Sequence, residues 1–319
     1  MNFDKQTSRV RALCRKLLDE DKVDVILGYA DGDLDDGALV PIFVREADDL
    51  WKIKWGDRCW QNLAPYLHGR EDRIAIVAKP CDARAVVQFV IENQLERDKI
   101  YIIGMDCPGM TDADGDPRPG CPECTVRLAP VYDVRIEDDR IKEHSGDGSE
   151  HSGDGSSCVQ DKTGKHSGDG SGCVQDKTQI EPSPLCSPLS GSLEMFKEEI
   201  DKCILCYSCR QACYGCYCKS CFIERDMPDW QPAEIDAGTK MTFHLGRAMH
   251  LAGRCVECGA CEAACASGVN VRYIISEATD FIEEEYGFKT GMDMDTTQAM
   301  LTHRQDDKEI GFFGGAEHE

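Results

Sequence analysis

The sequence predicts two parts of different fold class: an α/β domain that contains parallel sheet, and a small cysteine-rich α+β domain. Three features support this division. Strand and helix patterns alternate near the start, cysteines are concentrated after residue 200, and a repetitive polar segment separates the two regions. With 319 residues, the chain has room for about two domains. The predicted parts are 1–140 (α/β domain), 141–190 (repeat insertion and linker), 191–288 (cysteine-rich domain) and 289–319 (tail).

The first domain begins with a predicted amphipathic helix over residues 4–20, where apolar side chains recur at helical spacing. Residues 82–96 carry a second helical pattern and lie between two apolar strands. A strand, a helix and a strand in about 35 residues form a βαβ unit, which predicts parallel pairing and a right-handed crossover. No Gly-x-Gly-x-x-Gly motif opens this helix, so a standard dinucleotide-binding turn is not expected. The predicted strands are 23–30, 40–46, 73–79 and 99–106.

Residues 144–178 are a duplicated low-complexity segment, in which HSGDG occurs three times and CVQDKT twice. Glycine and small polar residues cannot bury enough apolar surface to form a core, so the pattern predicts a solvated surface insertion. Cys158 and Cys173 belong to the duplication, and we do not assign them as metal ligands. Three prolines within 182–188 indicate an extended linker into the second domain.

The second domain contains the pattern Cys-x2-Cys-x2-Cys-x3-Cys twice, with the runs starting 52 residues apart. Helices are predicted before each run, at 193–202 and 243–254, and after the second run at 271–286. This is the spacing of a bacterial ferredoxin, in which the fourth cysteine of one run binds the cluster of the other run. The spacing therefore predicts a dicluster ferredoxin-like domain with two 4Fe–4S clusters. The crossed ligand sets are Cys203, Cys206, Cys209 and Cys265 for cluster 1, and Cys255, Cys258, Cys261 and Cys213 for cluster 2.

Two other uses of these cysteines fit the pattern less well. A zinc site needs two Cys-x2-Cys pairs, without a third cysteine at the same step or a fourth three residues later. Disulfides between cysteines only two residues apart are poor structural staples, and the N-terminus does not have the pattern of a secretory signal. Iron–sulfur ligation remains the favoured interpretation.

Three further cysteines directly follow the first run, at Cys216, Cys218 and Cys221. Two 4Fe–4S clusters already have eight ligands, so these thiols are in excess. They are candidates for ligands of a further cluster, for alternative ligands of the two clusters, or for free thiols. A ligand role and a free-thiol role have similar weight.

The first domain has its own surplus of cysteines. Cys81 and Cys107 each follow a predicted parallel strand, so both should lie at the carboxyl edge of one sheet. This edge is where α/β folds place their ligands, and a loop with a Cys-x2-Cys pair could cover it. A third 4Fe–4S cluster is one interpretation, and buried or redox-inert cysteines are the other. The candidate ligands are Cys59, Cys81 and Cys107, with Cys121 or Cys124 as the fourth.

The charge balance is strongly acidic, with 36 basic and 59 acidic residues and a net charge of -23. Nucleic acids and anionic membranes favour basic surfaces, so neither is an expected partner. The longest purely apolar run, Ile74 to Ala78, is far too short to span a membrane. Cysteine-rich sequences without an export signal indicate metal ligation in a reducing cytoplasm. An acidic surface either docks on other proteins or only maintains solubility.

Residues from about 20 to 135 resemble the beta-subunit family of deazaflavin-reducing hydrogenases and formate dehydrogenases. The resemblance is carried by CWQNLAPYL (59–67), by 74–110 with its PCDAR turn, and by CPEC (121–124). The second half is similar to the two-cluster ferredoxin modules that accompany heterodisulfide-reductase-type complexes of anaerobes. Members of this beta-subunit family carry FAD and iron–sulfur clusters, so the resemblance implies FAD as a further cofactor.

The resemblance also implies roles for the turn after the strand at 73–79. There, Lys79, Asp82 and Arg84 are candidates for contacts to a flavin or its phosphate. The ordinary alternative is that Asp82 caps the helix and Arg84 is a surface charge.

Three functions follow as expectations. The first is an iron–sulfur electron-transfer subunit of an anaerobic oxidoreductase complex, which relays electrons between a flavin or hydride donor and a partner redox subunit. The second is a flavin-dependent catalytic subunit that itself oxidises or reduces a nicotinamide or deazaflavin coenzyme. The third is a structural adaptor whose clusters only brace the fold. Other redox subunits are the expected partners, and no acid–base pair or nucleophile is required.

Overall fold

A computed structural model describes residues 3–33, 37–137, 141–143, 189–224 and 235–298 of the chain. The repeats at 144–178, with Cys158 and Cys173, and most of the tail lie outside the described residues. By their contacts, Met1–His144 and Phe196–Glu319 make up one compact unit and Ser145–Met195 another. The α/β part and the cysteine runs both belong to the first unit.

The described strands form one mixed sheet with a parallel centre. The strands are β1 (Val25–Asp31), β2 (Leu39–Val44), β3 (Ile74–Ala78), β4 (Ile100–Met105), β5 (Val134–Ile136) and β6 (Ile141–Glu143). Their spatial order is β2-β1-β3-β4-β5-β6. The pairs β1–β3, β3–β4 and β4–β5 are parallel, whereas β2 and β6 run antiparallel at the two edges. The predicted α/β class with parallel sheet is confirmed, and the four predicted strands are present.

Two helices accompany this sheet, α1 (Phe3–Asp19) and α2 (Pro80–Ile91). α2 joins β3 to β4, so the predicted βαβ unit is present. β3 is buried along its whole length, as a central strand covered on both faces should be. α2 ends five residues earlier than predicted, because the chain turns at Asn93 with a left-handed φ of 55°. Asparagine adopts this conformation more readily than most residues.

The cysteine-rich part is helical where it is described. Its helices are α3 (Leu189–Asp201), α4 (Ser208–Gln211), α5 (Ala237–Leu251), α6 (Ala260–Ala263) and α7 (Val271–Tyr286). The three predicted helices are confirmed as α3, α5 and α7, with shifts of a few residues for the first two. No strand is present in 189–224 or 235–298, so the β component of the predicted α+β domain has no counterpart in these residues.

Side-chain caps and a common apolar core hold these helices in place. The Asp236 side chain accepts a hydrogen bond of 2.7 Å from Thr239 N at the start of α5, and Asn270 does the same for Tyr273 N at 3.0 Å in α7. A shared core of Ile200, Phe243, Leu251, Val271 and Ile275 buries the faces between α3, α5 and α7. Cysteine side chains of both runs, among them Cys203 and Cys255, pack against this core. None of the described helices is both long and apolar enough to cross a membrane.

Candidate metal centres

The two cysteine runs have the same backbone conformation at matching positions. Leu205 and Glu257, each just before the second cysteine of its run, have φ values of 54° and 56°. Tyr207 and Gly259, each just after that cysteine, have φ values of 59° and 70°. A left-handed conformation costs a non-glycine residue about 1–2 kcal/mol, so this repetition is not what chance would produce. The two loops are built in the same way.

This conformation aims backbone N–H groups at sulfur. Leu205 N donates to Cys203 Sγ at 3.3 Å, and Glu257 N donates to Cys255 Sγ at the same distance. Val269 N donates to Cys265 Sγ, also at 3.3 Å. Hydrogen bonds to the sulfurs are one of the ways in which a protein stabilises an iron–sulfur cluster and sets its potential. The donor groups therefore fit iron–sulfur ligation.

The thiols of the two runs group in the crossed manner. Cys265 interacts electrostatically with Cys203 and Cys209 of the first run. Cys213, the last cysteine of the first run, interacts electrostatically with the first three cysteines of the second run, Cys255, Cys258 and Cys261. We call Cys203, Cys206, Cys209 and Cys265 the first thiol set, and Cys255, Cys258, Cys261 and Cys213 the second thiol set. These interactions are compatible with the predicted sets, and Cys209 of the first set also interacts with Cys261 of the second. The ligand sets stay a prediction.

Burial keeps most of these thiols protonated when no metal is present. It raises the pKa of Cys209 to about 11 and that of Cys258 to about 12. Because thiolates rather than thiols bind metal, loading these sites with iron must release protons. Among the described residues, no three His, Cys, Asp or Glu side chains converge closely enough for a single metal ion.

A third group of cysteines lies at the carboxyl edge of the sheet. Cys81 is in the first turn of α2, directly after β3, and Cys107 follows β4. Cys107 interacts electrostatically with Cys59, Cys81 and Cys121. Met110 N donates to Cys121 Sγ at 3.4 Å. We call Cys59, Cys81, Cys107 and Cys121 the N-terminal thiol set.

Of the two candidates for the fourth position, Cys121 has the better contacts. The Cys124 thiol donates to the carbonyl of Val126 at 3.3 Å, a contact within its own loop. Both cysteines line the same cavity, together with Cys81 and Cys107. Cys121 is therefore the stronger candidate ligand, and Cys124 serves as a natural control.

The N-terminal and second thiol sets adjoin one another. Cys81 interacts electrostatically with Cys258, and both line one cavity. The loops that carry the sets touch through their backbones. A Cβ at Gly259 would lie 1.8 Å from the carbonyl oxygen of Pro119, and one at Gly120 would lie 2.7 Å from that of Glu257. No side chain separates the α/β part from the cysteine-rich part at these two positions.

Arg84 strengthens this junction from within α2. Its Nε donates to the carbonyl of Thr290 at 2.9 Å, and its Nη1 donates to that of Val256 at 3.2 Å. Arg84 is only 4% exposed, so it is not the surface charge of the ordinary alternative. It lines the cavity, but these two hydrogen bonds hold it to the cysteine-rich part.

Lys79 and Asp82 form a buried ion pair with a contact of 2.9 Å between Lys79 Nζ and Asp82 Oδ2. Asp82 also accepts from Lys79 N at 2.9 Å and from Leu63 N at 3.0 Å. The N-cap of α2 is thus Lys79, and Asp82 satisfies its N–H from the third position of the helix rather than being the N-cap itself. Lys79 Nζ further donates to the Gln61 carbonyl at 2.7 Å and to the Tyr29 hydroxyl. Burial opposes the Lys79 charge, but Asp82 and the neighbouring thiols outweigh it and raise the Lys79 pKa. These partners are internal, and the flavin contacts of both residues stay a prediction.

The surplus cysteines after the first run lie beside the second thiol set. The Cys216 thiol hydrogen-bonds Cys213 and, with the nearby Arg247 cation, holds the pKa of Cys213 below its ordinary value. Cys218 is exposed. Cys216, Cys218 and Cys221 line a small second cavity, and their ligand role stays a prediction.

The sequence analysis missed two cations of the cysteine-rich part. Arg254 makes a two-pronged ion pair with Glu92, and Arg247 lies buried among the thiols. The spacing does hold a signal for Arg247, which lies four residues from both Phe243 and Leu251. It therefore shares the buried face of α5 with two core side chains.

Comparison with known proteins connects this arrangement to one kind of enzyme subunit. No protein-family model matches the chain. The chain is 24% identical, over an alignment 359 positions long with its gaps, to the F420-dependent formate dehydrogenase subunit beta of Methanocaldococcus jannaschii, covering 89% of this chain and 91% of that relative. It is 34% identical over 107 residues to the F420-dependent formate dehydrogenase 1 subunit beta of Methanococcus maripaludis, covering 31% of this chain and 26% of that relative. The predicted resemblance to such beta subunits is confirmed, and both relatives are subunits of an oxidoreductase.

Proposed function

We propose that this chain, which resembles the beta subunits of F420-dependent formate dehydrogenases, is the iron–sulfur electron-transfer subunit of a cytoplasmic oxidoreductase complex. It passes electrons between a flavin or hydride donor and a partner redox subunit. The observation that carries the proposal is the cavity that Cys81 and Cys258 both line, beside the close approach of Gly259 to Pro119, which puts the sheet edge next to the second thiol set. Electrons thus have a short path from an α/β site into the cysteine runs.

The thiol sets follow one another from the interior to the surface. The N-terminal set adjoins the second set at Cys258, and the second set adjoins the first through Cys261 and Cys209. In the first set, Cys206 is exposed. When bound, 4Fe–4S clusters exchange single electrons at potentials that depend on charge, hydrogen bonding and solvent exposure. The loop around Cys206 is therefore the proposed contact point for the partner subunit.

The chain's own residues supply what such a relay needs. Buried thiols and backbone N–H donors hold each site, and the close contact of the loops at Gly259 and Pro119 fixes the distance between two sites. Neither an acid–base pair nor a nucleophile takes part. Surface acidity is compatible with docking on a partner protein, although a role in solubility alone fits equally well.

A second candidate function is catalysis by the α/β part itself, with FAD and a nicotinamide or deazaflavin coenzyme. It is favoured by the cavity at the sheet edge, which is lined by Lys79, Arg118, Arg127 and Arg272 beside apolar side chains. Cations of this kind suit an anionic coenzyme. Each already has a protein partner: Arg127 donates to the Cys121 carbonyl at 3.0 Å, and Arg118 lies 4.7 Å from the centre of the Trp60 ring.

Quantification of iron, sulfide and flavin after anaerobic purification tests these proposals. Three 4Fe–4S clusters give about twelve irons per chain and two give about eight, at four irons per cluster. We expect Cys81→Ser to lose about four irons and Cys124→Ser, in the same cavity, to lose none. Equal iron in the wild type and Cys81→Ser would exclude the N-terminal cluster. Fewer than about eight irons in the wild type would contradict the relay itself.

A coenzyme experiment separates the two functions. The isolated chain is mixed anaerobically with reduced nicotinamide or reduced deazaflavin, and its absorbance is followed. Bleaching of bound flavin supports the catalytic role. Complete absence of flavin excludes that role and leaves the relay, in which the clusters are reduced only through a partner subunit or a chemical reductant.

A further inference from the structure

Arg247 is a buried cation at the centre of the cysteine-rich part. It projects from α5, is 4% exposed, and donates from Nη2 to the Cys209 carbonyl at 3.1 Å. Its Nε and Nη1 are also buried and have no hydrogen-bond partner of normal geometry. Taking a guanidinium out of water without an anionic partner is costly. Some other group must therefore compensate this charge.

The groups that stabilise the charge are thiols. Arg247 interacts electrostatically with Cys213, Cys261, Cys209 and Cys216, in that order of strength, and no carboxylate is among these groups. Cys213 and Cys261 belong to the second thiol set, and Cys209 belongs to the first. Protonated thiols carry no charge and compensate a cation poorly, and of these four only Cys213 has its pKa held below the ordinary value. An anionic centre held by thiolates would compensate it well.

Two other arginines, the half-buried Arg254 and the buried Arg84, differ from Arg247 in this respect. Arg254 pairs with the carboxylate of Glu92 through two hydrogen bonds of 2.6 Å. Arg84 donates to two backbone carbonyls. Both have partners that hold them in place whatever the thiols bind. Of these three, only Arg247 has its guanidinium against thiols, those of Cys213, Cys216 and Cys261.

We propose that Arg247 raises the reduction potential of the cluster held by the second thiol set, and raises that of the first set less. This inference rests on the proposed function, because it requires clusters at both sets. Reduction adds one negative charge to a cluster, and a fixed cation in a poorly polarisable interior favours the more negative form. The guanidinium of Arg247 meets the Cys213 and Cys261 thiols of the second set directly, but reaches Cys209 of the first set through its backbone carbonyl, which places the larger effect on the second set. Arg247 is thus a positioning residue that sets the order of potentials along the relay.

Anaerobic redox titration followed by EPR tests this role in the full chain. The variants are Arg247→Gln, which removes the charge, Arg247→Lys, which keeps it, and Lys197→Gln, which removes an exposed charge from α3. At the wild-type midpoint, we expect Arg247→Gln to lower the ratio of reduced to oxidised cluster at least tenfold at one site, which is a shift of about 59 mV for one electron. This larger shift should belong to the cluster held by the second thiol set, and the cluster held by the first thiol set should shift less. Arg247→Lys should keep most of the wild-type potential, and Lys197→Gln all of it.

Iron and sulfide content is measured in every variant. A fully loaded Arg247→Gln protein with both midpoints unchanged would overturn the proposal. If Arg247→Gln cannot be loaded with iron and sulfide, the result for Arg247→Lys decides between a role of charge and a purely structural role. Loading and a near wild-type potential in Arg247→Lys support a role of charge, and failure to load shows that the guanidinium only braces the fold. A wild-type chain without two reducible clusters would instead contradict the proposed function.

Discussion

Glu92, directly after α2, holds Arg254 of the cysteine-rich part through two hydrogen bonds of 2.6 Å. The Tyr217 hydroxyl donates to the same carboxylate, and the Arg254 guanidinium lies 4.9 Å from the centre of the Tyr217 ring. The Glu92 side chain is 5% exposed and that of Arg254 is 16% exposed. One carboxylate on the α/β part therefore fixes two side chains of the cysteine-rich part, next to the second cysteine run.

Replacing Glu92 with glutamine should weaken the contact between the two parts. Removing one partner of a buried charge pair costs about 3–5 kcal/mol, and we expect the lower end because Arg254 keeps some contact with water. The free energy of unfolding in urea measures this loss. Glu96→Gln is the control: it breaks an exposed pair with Lys99 and should cost below about 1 kcal/mol. Equal stability of the two variants would contradict a structural role of the Glu92 pair.

Asp82→Asn should destabilise the protein without changing a cofactor site directly. Asp82 is fully buried, and its contacts run to Lys79, Leu63 and Tyr29. Loss of its charge leaves the Lys79 ammonium without its anionic partner, which costs about 3–5 kcal/mol. Urea unfolding measures the cost, and flavin per folded chain is measured in parallel. Unchanged stability with loss of flavin would instead support the flavin contact that the resemblance implies.

Much of the α/β part could be predicted because its signals are local. β3 is a continuous apolar run, and α2 repeats its apolar positions at helical spacing, so the βαβ unit follows from the sequence. β5 and β6 were not predictable in the same way. Each has three residues and includes a charged side chain, and each exists because a neighbouring strand supplies hydrogen bonds.

The candidate sites could likewise be predicted only in part. Features set by local spacing could be predicted, and features set by the packing of distant segments could not. The matching conformation of the two cysteine loops could be expected from their repeated spacing, because ligand spacing reflects loop geometry. The adjacency of Cys81 and Cys258 was not, since it depends on how two regions 177 residues apart in sequence pack. The buried position of Arg247 was signalled only weakly, by its place between two core side chains of α5. Charge on a helix face ordinarily indicates a solvated surface.

Cys14 offers a test of pH dependence away from the proposed metal centres. Burial in α1 raises its pKa to about 12, above the value of about 8.5 of a thiol in an unfolded chain. The contribution of the buried Cys14 thiol to the free energy of unfolding is therefore complete below about pH 8.5, and it is lost as the pH rises toward the folded-state pKa. At about pH 8.5, we expect no alkylation of Cys14 in the native protein and rapid alkylation of Cys14 in urea. Mass spectrometry of peptides after iodoacetamide treatment measures both, and native labelling of Cys14 would contradict its burial.

Gly259→Ala should separate the N-terminal and second thiol sets. The new Cβ would lie 1.8 Å from the Pro119 carbonyl oxygen, and no real contact is that short, so the two loops must move apart. Gly268→Ala is a matched control, because Gly268 has a similar φ of 64° against 70° but no atom within 4 Å of the added Cβ. Both variants bear the cost of a left-handed alanine, about 1–2 kcal/mol. Only Gly259→Ala also bears the clash.

We expect Gly259→Ala to lose iron, or to slow electron transfer from the sheet edge to the cysteine runs, whereas Gly268→Ala keeps wild-type iron content and rates. Identical behaviour of the two variants would show that backbone strain alone matters, and that the close approach of these loops plays no part in the relay.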